Sequence, residues 1–401
     1  MKCLLLPLLL LFVAQSSVTI PAGTELQVRL TSEVTSDKPS GQRVTAVVIA
    51  PVFVNSTLAI DAGTTLKGKT ADAAAAVAAG DGAAESPAKL RLQFDQIESP
   101  SAGSKPLSAI VTEIDNARET VDQSGLIVGI TASETYKSRL DQGLSKLATR
   151  NSQMAQILSG VEDAIVKKVD PSITYKPGVD LTIKLTRDLS WVPPTKPNSI
   201  AEIEPADKLE ALVTAEPFRT VAENPPKPSD MTNLMFIGTL EQVTKAFTDA
   251  GWFPASALGQ ASKMETARAL IENRGYNEAP MSILNLEGQP PTLALQKQND
   301  TFAKRHHIRI WQRPDTFDGK PVFVAAATHD TSITLSPESH NFTHGIDPNI
   351  DRERSKVVND ILFTKRVHAL ALVDRPAIPK DASNATGDKL ITDGKMAVLE
   401  F

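Results

Sequence analysis

Ile20-Pro21-Ala22-Gly23-Thr24-Glu25-Leu26 decides the fold of the first half of the chain, because it returns twice. Its echoes are Ile60-Asp61-Ala62-Gly63-Thr64-Thr65-Leu66 and Tyr175-Lys176-Pro177-Gly178-Val179-Asp180-Leu181. Each copy sets a glycine, which tolerates the positive φ of a turn, just before a strand. After the first, Leu26, Val28 and Leu30 alternate with Gln27, Arg29 and Thr31; after the third, Leu181, Ile183 and Leu185 alternate in the same way. A period of two marks a half-buried strand. Val44 to Val54 is β-branched and mostly apolar, Leu90, Leu92 and Phe94 alternate again, and Ala71 to Ala88 reads as a loop or a weak helix. The spacing predicts an all-β barrel or sandwich over residues 18–191, completed by residues 175–191.

Working outward, Leu140, Leu144, Leu147, Met154, Leu158, Val161 and Ile165 form a heptad seam with Asn151 in its one gap. It predicts a long helical insertion over 133–168, either packed on its own barrel or pairing two chains through residues 136–165. Residues 192–229 hold eight of the 27 prolines and read as an extended Pro-rich linker. Beyond it, residues 230–374 predict an α+β domain. Asn233 to Ile237 reads as a strand, Thr239-Leu240-Glu241-Gln242 as a capping box, and Ala257 to Arg274 as a second helix. Strands follow near 292–297, 305–313 and 321–329, the last two a hairpin turning at Asp318-Gly319. Asp347-Pro348 then opens a helix to about Phe363, and Val367 to Val373 is a final strand. Residues 375–401 read as a loose polar tail. The turn motif of the first half resembles β-barrel modules with such "PAG" turns in exported bacterial proteins.

The start of the chain has the form of a signal peptide over 1–17: Lys2, an apolar run from Leu4 to Val13, and Ala14-Gln15-Ser16 as the small-residue exit. The run is shorter than the ~20 residues a membrane span needs. Cleavage would remove Cys3, the sole cysteine, and with it every route to disulfides or thiolate ligands. The expected address is therefore periplasmic or extracellular. A net charge of -5 disfavours broad binding to nucleic acid or anionic membrane, which needs a dense basic face.

All six histidines fall between residues 306 and 368. His is the commonest metal ligand and titrates near neutrality, so this crowding marks the second half as the seat of any chemistry. In Arg305-His306-His307-Ile308-Arg309-Ile310-Trp311, strand alternation puts His307, Arg309 and Trp311 on one face and His306, Ile308 and Ile310 on the other. The face of His307 joins an acid or base, a fixed cation and an aromatic wall; the face of His306 reads as core. Downstream, Thr343-His344-Gly345-Ile346-Asp347-Pro348-Asn349-Ile350-Asp351-Arg352-Glu353-Arg354 sets Asp347 and Asp351 one helical turn apart, just after His344.

These stretches, with Asn233-Leu234-Met235-Phe236-Ile237-Gly238, Ala250-Gly251-Trp252, Leu295-Gln296-Lys297-Gln298 and Ala326-Ala327-Thr328-His329-Asp330, resemble the LssY-like C-terminal domain family over residues 230–374. The resemblance brings no activity with it. The residues themselves leave three readings open. Arg309, Trp311 and Arg352 with a helix N-terminus would bind an anionic, phosphate-like molecule. Alternatively His344, Asp347 and Asp351 would hold a divalent metal, with His307, His344 and Asp347 serving hydrolysis of an ester or phosphoester. In the third reading the domain binds an envelope protein, Asp347 merely caps a helix, Arg352 and Glu353 are solvated, and the histidines hydrogen-bond in a polar core. No P-loop, G-x-S-x-G or H-E-x-x-H pattern favours a known catalytic class.

Overall fold

The computed structural model describes residues 17–55, 57–77, 84–131, 171–194, 200–223, 226–255, 283–297, 304–335 and 342–401. Residues 1–16, nearly all of the expected signal peptide, and the predicted helices over 133–168 and 257–274 lie outside the described residues. Among the described residues no helix is long and apolar enough to cross a membrane.

The first half is a nine-stranded antiparallel sheet in near-barrel form. Its order is Ala109–Ile114, Asp180–Leu185, Glu25–Leu30, Arg43–Val48, Thr65–Ala74, Lys89–Ser99, Leu126–Val128 and Thr120–Val121, with Gly103–Pro106 also paired to Lys89–Ser99. The stretch from Gly103 to Ile114 thus leaves one side of the sheet and joins the other, which brings the ends together. The alternation read from the sequence is the burial pattern seen: Leu26, Val28, Leu30, Leu181, Ile183 and Leu185 are buried around one apolar core. The three echoing turns carry positive φ at Gly23, Gly63 and Gly178.

The second half is α+β. Its nine-stranded sheet runs Ala201–Glu202, Ala369–Asp374, Lys395–Glu400, Leu234–Ile237, Lys320–Leu335, Arg305–Phe317, Leu293–Lys297 and Trp252–Pro254, with Phe342–Ile346 added to Lys320–Leu335. Helices Leu240–Asp249 and Ile350–Phe363 bury Val243, Phe247, Val357 and Ile361 on one face, against Ile308, Ile310, Phe323 and Ala325. The other face buries Trp311, Val324 and Ala326 with Leu209 and Val213 of helix Ala206–Ala215. The hairpin turns at Asp318 and Gly319, both at positive φ, as a two-residue turn of matching twist requires.

Three expectations are corrected. The stretch 192–229 is not a linker. Its helix Ala206–Ala215 covers the second sheet, and strands Arg219–Ala222 and Lys227–Met231 pair with each other. Buried Leu209 and Val213 outweigh the prolines, one of which, Pro205, sits at the helix N-cap. Residues 375–401 are not loose either. Lys395–Glu400 lies inside the sheet between Leu234–Ile237 and Ala369–Asp374, with Met396, Ala397, Val398 and Leu399 buried. Both faces of the sheet are covered there, which is why this run is continuously apolar. Finally, the helix after Pro348 is capped by Asn349, whose side chain accepts from the Asp351 N–H, and not by Asp347.

Candidate functional site

The residues singled out from the sequence do not form one cluster. His307, Arg309 and Trp311 share a face of the Arg305–Phe317 strand, as alternation required, but that face is buried. His307 Nε2 lies 2.8 Å from Asp330 Oδ1, whose other oxygen accepts from Arg305 at 3.0 Å, and Arg309 reaches Asp230 at 3.3 Å. The Thr328 hydroxyl is 3.1 and 3.3 Å from the two ring nitrogens of His307. Trp311 is a core residue that donates to the Gln289 carbonyl. Arg352 is 75% exposed and 3.5 Å from Asp347. Its helix packs on the opposite face of the sheet from Arg309, so the two guanidinium groups cannot grip one ligand. Asp351 is engaged by Arg354, Thr392 Oγ1 and the Asp393 N–H, closing the 392–394 turn against the helix. The backbone of His344 pairs with Ile333; its side chain is outside the described residues.

The polar centre lies instead on the face expected to be core. Cross-strand register sets His306 beside His329, and their rings stack at 4.1 Å with 17° between planes. His306 Nδ1 is 2.7 Å from Glu353 Oε2, on the first turn of the Ile350–Phe363 helix. His306 Nε2 is 2.9 Å from Asp115 Oδ1, in the turn after the near-barrel strand Ala109–Ile114. His329 Nε2 meets Asn116 Oδ1 at 2.8 Å. Glu353 is therefore buried, at 3% exposure, and not solvated, and its Oε1 has no hydrogen-bond partner among the described residues.

The electrostatics follow from this geometry. Burial pushes His306 down, but Asp115 and Glu353 outweigh it and hold its pKa well above the ordinary imidazole value. Burial, then the neighbouring charge of His306, takes His329 down to about 4, so it is neutral at pH 7. Burial opposes ionisation of Asp115, yet His306 and Lys356 keep it below the usual carboxylate range. With no ion bound, the pair is an imidazolium clamped by two carboxylates with a neutral imidazole stacked on it, and an ion at His306 Nε2 would have to displace the proton there. The ligand atoms of Asp115, His306 and His329 all lie within 4.8 Å of one another, so this compact Asp/His/His cluster could coordinate a metal ion.

A second buried array adjoins it. Asp360, on the same helix, is fully buried and accepts from Arg29 at 2.8 Å, Lys297 at 2.5 Å, Lys356 at 3.2 Å and Trp252 Nε1 at 3.1 Å. Asp180 takes a two-point contact from Arg29 and a 2.6 Å contact from Lys356. Arg29 and Asp180 belong to the near-barrel, the others to the second half, so the seam between the halves is made of charge. Burial takes Lys297 down to about 8 against the pull of Asp360. Burial works against the Asp180 charge, but Lys356, Lys297 and Arg29 outweigh it and hold its carboxyl well below the usual range.

That depression has a testable sign. A carboxylate whose folded pKa lies below its unfolded value adds stability above the unfolded value, near 3.8, and loses it as pH falls through the folded one. The seam should keep full strength from neutrality down to about pH 4. Below that, the wild type should lose stability more steeply than Asp180→Asn, which has no such proton to take up. Urea midpoints from pH 5 to pH 2 check this; parallel curves would refute it.

No sequence rule pointed to Asp115, which lies 191 positions from His306. His306 was visible, but its apolar neighbours Ile308 and Ile310 made its face read as plain core. His329 needed the hairpin register, where a one-residue slip exchanges the faces.

Comparison with known proteins bears on the second half. Residues 215–396 match the family model described as LssY C-terminus, a span that includes His306, His329 and Glu353 but not Asp115. No curated protein matches the chain. Among solved structures, ComB10 of the Com Type IV secretion system of Helicobacter pylori is similar at 14% identity over 44% of this chain and 93% of its own length. Its TM-score of 0.23 is too low for any structural argument.

Proposed function

We propose that this is an exported two-domain protein of the cell envelope that binds a divalent metal ion at the seam between its domains, through Asp115, His306 and His329. The observation that carries the reading is the convergence of one carboxylate and two imidazoles within 4.8 Å. Such a nitrogen–oxygen set suits a zinc-like ion. Glu353 supports it: with Nδ1 of His306 held by this carboxylate at 2.7 Å, Nε2 is the nitrogen turned to the ion, the arrangement by which second carboxylates orient metal-bound histidines. Export rests on the form of residues 1–17.

Of the three ligands His306 is buried, while Asp115 and His329 are partly exposed. His306 and Glu353 side chains are 4% and 3% exposed, whereas Asp115 is 23% exposed, so solvent reaches the cluster from the Asp115 side. A hydrolytic ion needs an open coordination position facing substrate; a structural ion does not.

The test is titration of the purified full-length chain, freed of metal by chelator, with Zn²⁺ or Co²⁺ and elemental analysis of the product. One ion per chain is expected. Asp115→Asn and His329→Ala should abolish stoichiometric uptake, Glu353→Gln should weaken it about 10- to 100-fold, and Asp351→Ala should leave it intact. A chain that takes up neither ion at micromolar concentration, or that loses it only on changing Asp351, rules the reading out.

A further inference from the structure

The turn after Ala109–Ile114 holds the second domain with three consecutive residues. Asp115 engages His306, Asn116 accepts from His329, and the Ala117 carbonyl accepts from Lys304 Nζ at 2.9 Å. Asn116 adopts the left-handed conformation, φ 56, which asparagine tolerates better than most residues. The turn has its own tie to the barrel, from the Asp115 N–H to the Asp180 carbonyl at 3.0 Å.

The seam therefore has two fastenings. One is the array of Arg29, Asp180, Lys297, Lys356 and Asp360, where each carboxylate meets several cations. The other is the His306 cluster, where Glu353 is buried yet leaves one oxygen without a partner among the described residues. The array is complete from side chains alone. The His306 cluster contains the donor set for an ion, and that set is divided between the domains: Asp115 from the near-barrel, His306 and His329 from the second sheet.

We infer that the metal ion bolts the two domains together, clamping residues 115–117 of the near-barrel onto the second sheet, while the Arg29–Asp360 array maintains the docking whether or not the ion is bound. This rests on the metal-binding reading and adds to it what the ion does. An ion whose ligands come from both sides binds the docked arrangement better than an undocked one, so its binding free energy becomes docking free energy. Its effect is local to the turn, because the neighbouring array already closes the rest of the seam.

Hydrogen exchange on the full-length chain tests this, comparing chelator-treated protein with the same protein saturated with Zn²⁺ and checked for one bound ion. Zinc should slow exchange of the amides of residues 115–118 at least tenfold and leave the strand Asp180–Leu185 nearly unchanged. In His329→Gln, zinc should change neither. If the wild type binds one zinc and the 115–118 amides exchange at the same rate with and without it, the bolt is refuted while the metal site stands. If no zinc binds, the site and the bolt fall together. The wild-type comparison alone decides, so a variant that folds poorly does not blunt the test.

Discussion

Replacing Asp360 with alanine is expected to destabilise the protein by about 3–5 kcal/mol, the range for breaking a buried ion pair from one side. The carboxylate is 0% exposed and accepts from Arg29, Lys297, Lys356 and the Trp252 indole. Without it, buried Lys297 and the partly buried Arg29 and Lys356 are left with Asp180 as their nearest counter-charge, and Lys297 is already the strained member, taken down to about 8 by its burial. The loss comes mostly from stranding these charges, since an intact buried pair gains little over apolar packing. The exposed pair Lys389–Asp381 is the contrast: both side chains are more than half exposed, and Asp381→Asn should leave the urea midpoint where it is. An Asp360→Ala midpoint no lower than that of Asp381→Asn would show that the seam is not held by charge.

Gly68→Ala should cost about 3 kcal/mol or more and disrupt the near-barrel. A Cβ there would lie 1.9 Å from the Gln93 carbonyl oxygen and 2.9 Å from Phe94 Cα, both backbone atoms of the paired strand, so no side-chain movement relieves the clash. The register between Thr65–Ala74 and Lys89–Ser99 already shifts between Lys67 and Gly68, and the close approach of the two chains belongs to that irregularity. Gly63→Ala offers a control of another kind. Its Cβ meets nothing within 4 Å, but φ is 94, so the expected loss is the conformational one of about 1 kcal/mol. Thermal melts of the two variants should differ clearly; equal losses would mean that the contact at Gly68 is absorbed by a shift of the strands.

The contrast between these glycines shows what was legible in the sequence. The turn glycines declare themselves, because Gly23, Gly63 and Gly178 each sit in the repeated turn motif before a strand; Gly68 does not, since its constraint is a strand more than twenty residues away. The same division holds throughout. Alternation correctly separates His306 from His307 and puts Arg309 and Trp311 on one face, because strand geometry is local. It cannot say which face meets the other domain, and the more decorated face draws the assignment. The eight prolines of 192–229 suggest an extended spacer, although Leu209 and Val213, four apart, are the buried stripe of a helix. The apolar run Met396-Ala397-Val398-Leu399 is short and surrounded by polar residues, and only its partners in the sheet reveal it as a strand. Charge between the two halves is the extreme case: Asp115, Asp180 and Arg29 are ordinary residues in a polar sequence and gain meaning only when His306, Lys356 and Asp360 fold against them.

The position of Lys395–Glu400 has a consequence for biosynthesis. This strand runs parallel to Leu234–Ile237 and antiparallel to Ala369–Asp374, filling the gap between them. During translation both neighbours are made first and present unpaired ladder edges until the ribosome has passed residue 400, the kind of edge that invites pairing with other chains. Deleting Lys395–Glu400 should therefore leave both edges open and shift the expressed protein from the soluble to the insoluble fraction.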